Sequence, residues 1–156
     1  MKNKKVERDF RCKKDILLRE MKYFEKHLKM TDSADDIDIS VHCDIKIFEW
    51  LMDYLNNVNS GLEVKYAIPI FISAEFLVMH RLSQECIKFI VDNISEIVKT
   101  NIDMSCLNQP ALKNISNLMD IEELDAFKDP RDILQSKLFM HKLEKILKEE
   151  PNMLNR

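Results

Sequence analysis

A single glycine, Gly61, serves all 156 residues of this chain. Glycine enters left-handed and strained backbone at little cost, so folds built on repeated glycine turns are disfavoured. The same scarcity removes the glycine-rich phosphate loops. A P-loop or a dinucleotide fingerprint needs several glycines to bring backbone close to phosphate, and this chain cannot supply them. Nucleotide-binding enzymes of those classes are set aside.

The length suits one domain, or one domain with a helical extension, and can bury a real core. No stretch approaches the roughly 20 apolar residues of a membrane helix. The basic start Met1–Lys5 is not followed by an apolar run, so neither a signal peptide nor membrane association is expected. The net charge of −3 hides an asymmetry, because residues 1–30 carry 11 Lys/Arg against 5 Asp/Glu and the remainder 13 against 22. Nucleic-acid binders usually concentrate basic residues on one face with a pI above about 9. Here the basic part is one short stretch and the pI is about 5.8, so no nucleic-acid partner is expected through this domain.

Along the chain, Val6–Cys12 alternates loosely and reads as a strand. Lys13–Met30 reads as a helix, with Leu17, Met21, Phe24 and Leu28 on its inward stripe. Ile37, Ile39 and Val41 alternate with polar residues, which suggests a second short strand. Asp44 can cap a helix lined by Phe48, Leu51, Met52, Leu55 and Val58. Ile68–Met79 is apolar nearly all round, with Pro69 suited to a first helical turn, and a helix apolar on all sides is buried on all sides. Leu82, Cys86, Phe89, Ile90, Asn93 and Ile97 mark a further helix ending near Thr100. Shorter helical pieces follow at about Gln109–Met119 and Ile121–Phe127. Asp129, Pro130 and Asp132 then signal the start of a last helix, with Ile133, Leu134, Leu138, Leu143, Ile146 and Leu147 as its buried stripe. The fold class expected is α+β, mainly helical with a small sheet. Residues 6–99 form the core, and residues 101–150 are a helical extension packed on it.

Catalysis needs convergent polar groups of fitting pKa, and candidates are few. Cys12, Cys43, Cys86 and Cys106 lie far apart with no short-range pair, so a zinc site is not expected. Their apolar neighbours suggest buried thiols in a reducing compartment. His42 and Cys43 are adjacent on an alternating segment, which points them to opposite faces. His27, His42, His80 and His141 show no helical i, i+4 pair. No metal, cofactor or catalytic residue is assigned. An enzyme using Cys43 or Cys86 is the weakest of three functional readings, and its mark would be an accessible reactive thiolate.

Several segments, in order, resemble the BTB/POZ family. Phe10-Arg11-Cys12-Lys13-Lys14-Asp15-Ile16-Leu17 looks like the family's second strand and following helix, and Tyr23-Phe24 like the aromatic pair that closes it. Phe48, Leu51, Met52, Asp53 and Tyr54 match a further family helix. Ala74-Glu75-Phe76-Leu77-Val78-Met79 is the strongest match, continued by Leu82, Cys86 and Lys88-Phe89-Ile90. The similarity spans about residues 6–99. The segment Asp36–Asp44 and the helical tail narrow it to the BTB regions of SANT-and-BTB regulators of class switch recombination. The departures are Lys13 where the family has histidine, and Asn56-Asn57 where it has tyrosine-threonine. Nothing before Val6 can supply the leading helix and first strand that many BTB dimers exchange, and no SANT module is visible, which suggests a fragment or truncated relative.

The resemblance implies a nuclear or nucleocytoplasmic protein that dimerises and works in repressive, chromatin-linked assemblies. The BTB resemblance, together with apolar residues left over outside the core stripe of the first helix, points to a homodimerising scaffold. Ile16 and Tyr23 lie off the inward stripe of the first helix, on a face with Arg19, Glu20 and His27, and Ile16, Arg19 and Tyr23 are the expected interface. Corepressors are possible partners. The alternative is a substrate adaptor for a cullin-type ubiquitin ligase, although the turn Asn56–Glu63 lacks a convincing hydrophobic-x-Glu contact motif.

Overall fold

The computed structural model describes residues 7–25, 44–58 and 61–149. They fall into two compact units, Met1–Gly61 with Pro69–Ser83 and Leu62–Ile68 with Gln84–Arg156. The described residues are helical, with no strand among them, so the fold is all-α where an α+β fold with a small sheet was expected.

In the first unit, only residues 10–13 keep the period-two pattern that suggested a strand. Phe10 and Cys12 are half-buried while Arg11 and Lys13 are exposed, and Glu7, Arg8 and Asp9 are all exposed. The segment is held by side chains instead of a backbone ladder. Phe10 meets Phe48 edge-on at 5.3 Å, and Arg8 lies over the Phe10 ring while pairing with Glu49 at 2.8 Å. The second expected strand, Ile37–Val41, lies outside the described residues.

The long first helix also gives way to a shorter one. α1 covers Lys14–Glu20, then Met21 leaves helical dihedrals and Lys22–Phe24 forms one 3-10 turn. The cause is tertiary. In a continuing helix the Tyr23 N–H would donate to the carbonyl of Arg19, but it donates instead to Leu77 O at 3.1 Å. Met21 and Phe24 are still buried, at 0% and 4% exposure. Leu17 is half-buried, and Leu28 lies outside the described residues.

α2, Ile45–Leu55, starts as expected, with the Asp44 carboxylate accepting from Lys46 N at 2.9 Å. Its buried face is Ile47, Leu51, Met52 and Leu55, whereas Val58 is 56% exposed. α3, Val64–Phe76, begins before Pro69, so this proline sits inside the helix and not in its first turn. There it removes one helical hydrogen bond. Its residues from Pro69 belong to the first unit, where Ile70, Phe71 and Ala74 are wholly buried.

Both helices end in the same device. Met79 N donates to Ala74 O and Val78 N to Glu75 O at the end of α3, and Val58 N donates to Asp53 O and Asn57 N to Tyr54 O at the end of α2. These are Schellman caps, which need one residue with positive φ. Asn57 and Val78 supply it, each at φ 58°. Asparagine tolerates that region, whereas a β-branched residue there is strained.

In the second unit, α4 (His80–Asp92, whose residues from Gln84 belong here) and α5 (Ile94–Ile97) replace the single helix expected to run to Thr100. The break is at Asn93, whose side-chain amide donates to Phe89 O at 2.9 Å. α6, Gln109–Asn117, is capped by Asn108 Oδ1 accepting from Ala111 N. α7, Ile121–Ala126, opens with a reciprocal capping box between Asp120 and Glu123.

α8 is Gln135–Glu149. The Asp129 signal is real but acts at a distance. This buried carboxylate accepts from the backbone N–H groups of Ile133, Leu134 and Gln135, and the turn between lets Asp132 take φ 50°. Leu134 and Leu138 are wholly buried, but the expected stripe does not continue, because Leu143 and Leu147 are 49% and 45% exposed.

Candidate interaction surface

The first unit carries an exposed aromatic pair. Phe76, the last residue of α3, is 62% exposed, and its ring lies 5.0 Å from that of Tyr23, tilted by 32°. Tyr23 also meets Phe24 edge-on at 5.2 Å. The backbone fixes this arrangement, through the Tyr23 N–H on Leu77 O and the Schellman cap that turns the chain at Val78. A buried Phe24 on one side and a rigid turn on the other hold two rings at the surface with few rotamers to lose. Aromatic residues presented in this way are the usual anchors of protein interfaces.

A polar flank accompanies the pair. Glu20 Oε1 lies 3.5 Å from both Arg19 Nε and Arg81 Nη2. Arg81 donates from Nε to the Tyr54 hydroxyl at 2.9 Å, and Tyr54 stacks on Trp50 at 5.8 Å and 13°. These charged contacts are mostly solvent-exposed, so each contributes little to stability. Their effect is to fix Arg81 and Tyr54 in place.

The three residues expected to form the interface are distributed as follows. Ile16 is half-buried on α1, and Arg19 is exposed on α1 beside Glu20. Tyr23 is 36% exposed, but the break at Met21 takes it off the α1 helix and onto Phe76. Periodicity alone therefore could not place Tyr23 relative to Ile16. Phe76 was missed because an all-apolar segment was read as buried on every side. Its position as the last residue before the cap was the available signal.

Among the described residues, thiols and imidazoles form no second site. Cys86 is buried, Cys12 half-buried and Cys106 exposed, so the expectation of buried thiols holds for Cys86 and fails for Cys106. Burial pushes the Cys12 thiol above its ordinary pKa and Asp15 adds to the shift, against the opposing hydrogen bond to Lys13. Cys43, His27 and His42 lie outside the described residues. His80 is exposed, and His141 Nε2 lies 2.7 Å from Gln109 Oε1. Among the described residues no group of three or more His, Cys, Asp or Glu could hold a metal ion, and no helix is long and apolar enough to cross a membrane.

Residues 1–87, more than half of the chain, match the family model described as the BTB domain of the SANT and BTB domain regulator of CSR. No solved structure matches the chain.

Proposed function

Because the chain belongs to the family of the BTB domain of the SANT and BTB domain regulator of CSR, we propose that it is a non-enzymatic, homodimerising scaffold of nuclear repressive or chromatin-linked assemblies. BTB domains are protein-interaction modules, and the family description, a regulator, supports a nuclear site of action. Ile16, Arg19 and Tyr23 contact a second copy in this reading, with Phe76 as the anchor beside them.

One observation carries the reading. Phe76 stands 62% exposed on Tyr23, where burial of both rings against a partner would recover hydrophobic free energy that the isolated chain forgoes. A two-fold dimer brings the same patch of each copy together, so both copies bury their pair at once.

The test is absolute mass by light scattering over a concentration series. Below about 0.1 mM the chain is expected at twice 18.5 kDa, and Phe76→Lys is expected to halve that mass while its circular dichroism spectrum keeps the fold. Ile16→Lys provides a second probe of the same surface. A chain that stays monomeric at every concentration refutes the homodimer, and capture of a purified cullin by that monomer would establish the adaptor role instead.

A further inference from the structure

The last helix presents a second apolar strip that the first unit's surface does not explain. Met140, Leu143 and Leu147 are 59%, 49% and 45% exposed, and their 3-and-4 spacing lays them along one line of α8. Ser136, one turn earlier, continues the line and is exposed. The opposite side of the helix is already committed, through Leu138 in the core and His141 on Gln109.

The charges beside the strip identify what fits it. Lys137 and Glu144 are both exposed, and seven residues apart they share one edge of the strip. The other edge carries the half-buried Phe139 and Ile146, with the half-buried Lys142 behind them and no exposed charge among the described residues. When two identical helices pair antiparallel, like edges meet, so Lys137 of each copy faces Glu144 of the other. The same two-fold sets Met140 against Leu143 and Leu147 against the small Ser136. A parallel pair would place the charged edge against the apolar one and leave neither charge a partner across the contact, Glu144 keeping only His141 at 3.9 Å on its own helix.

We propose that α8 pairs antiparallel with α8 of a second copy through Met140, Leu143 and Leu147, with Lys137 and Glu144 setting the direction. This self-contact is separate from the Tyr23–Phe76 face and does not depend on it. A chain holding both surfaces associates in two steps and passes beyond a dimer as concentration rises. The contact is one helix wide and belongs with small, transient interfaces.

Sedimentation equilibrium tests the proposal, with a series up to about 1 mM protein, where dissociation constants of that order are read directly. Lys137→Glu and Glu144→Lys each place like charges opposite one another twice over, and each is expected to weaken the α8 step about tenfold. An equimolar mixture of the two single variants restores opposite charges at both positions and is expected to recover the wild-type constant. So is the doubly reversed chain. Leu143→Asp abolishes the step. All four residues substituted or mixed here are exposed, and circular dichroism confirms the fold of each variant. Phe76→Lys separates the two surfaces, because it removes the other step and leaves this one. Association indifferent to Leu143→Asp, or a mixture no stronger than its components, overturns the antiparallel pairing while leaving the Tyr23–Phe76 dimer standing.

Discussion

The hydroxyl of Ser116, wholly buried on α6, donates to the backbone carbonyl of Leu138 on α8 at 2.9 Å. It is a buried polar link between helices that also meet through His141 and Gln109, and Ile115 on one helix and Leu138 on the other are both at 0% exposure. Ser116→Ala removes the donor and leaves a small void, at a cost of about 1 kcal/mol. Thermal melts should show a fall of about 2–4 °C. An unchanged melt would mean that the hydroxyl is incidental to the packing of α6 on α8.

Val78 should be improvable. A left-handed conformation costs an L-residue about 1–2 kcal/mol, and Val78 occupies one at φ 58°. Val78→Gly is expected to stabilise the chain by about 1 kcal/mol after the entropy of glycine is counted. Asn57→Gly, at the equivalent cap position of α2, should gain clearly less because asparagine tolerates this region. Chemical denaturation of the two variants decides the matter, and equal gains would count against strain at Val78.

Asp129 should behave as a cap reaching across a turn. Its carboxylate accepts three backbone N–H groups, from Ile133, Leu134 and Gln135, at only 7% exposure. Asp129→Ala is expected to cost about 2 kcal/mol, the upper end of the range for helix caps. Hydrogen exchange should accelerate first at Ile133–Gln135. Uniform acceleration over the whole chain would show that Asp129 acts on global stability alone.

Asp132 gives an acid signature. Hydrogen bonds from the Ser136 hydroxyl and backbone N–H hold its carboxyl below the ordinary value, with Lys137 adding to the effect. A carboxyl depressed in the folded state contributes stability that is present above the unfolded pKa of about 3.9 and lost as pH falls through the folded value. Asp132→Asn keeps the left-handed backbone and cannot titrate. Melts from pH 6 downward should therefore converge for the two proteins in acid. A gap between them that is constant with pH would exclude the carboxylate as its source.

Thiol labelling followed by peptide mass analysis should rank the cysteines by exposure. Cys106 reacts first, Cys12 more slowly because its thiol pKa is raised, and Cys86 only on unfolding. Rapid native labelling of Cys86 would contradict its burial.

What could be read in the sequence was whatever depends on neighbours along the chain. Asp44 signals the start of α2, and apolar spacing marks Leu51, Met52 and Leu55 as core. The Asp120-x-x-Glu123 box that opens α7 follows the same local rule. The BTB family is legible because its motifs are short, local and ordered.

The tertiary structure alone decided where those patterns stop. α1 ends because the Tyr23 N–H finds Leu77 O, a partner more than fifty residues away in sequence. No glycine or proline between Lys14 and Phe24 announces the break. Period-two burial over residues 10–13 was present without strand pairing, since alternation reports which side chains face a surface and a strand also needs a partner for its hydrogen bonds. The same limit applies to exposure. Apolar spacing assigned Phe76, Leu143 and Leu147 to the core, yet a sequence cannot say whether a second element exists to cover a given face. Residue type and spacing set what each segment could bury, and only packing against distant segments decided what was buried.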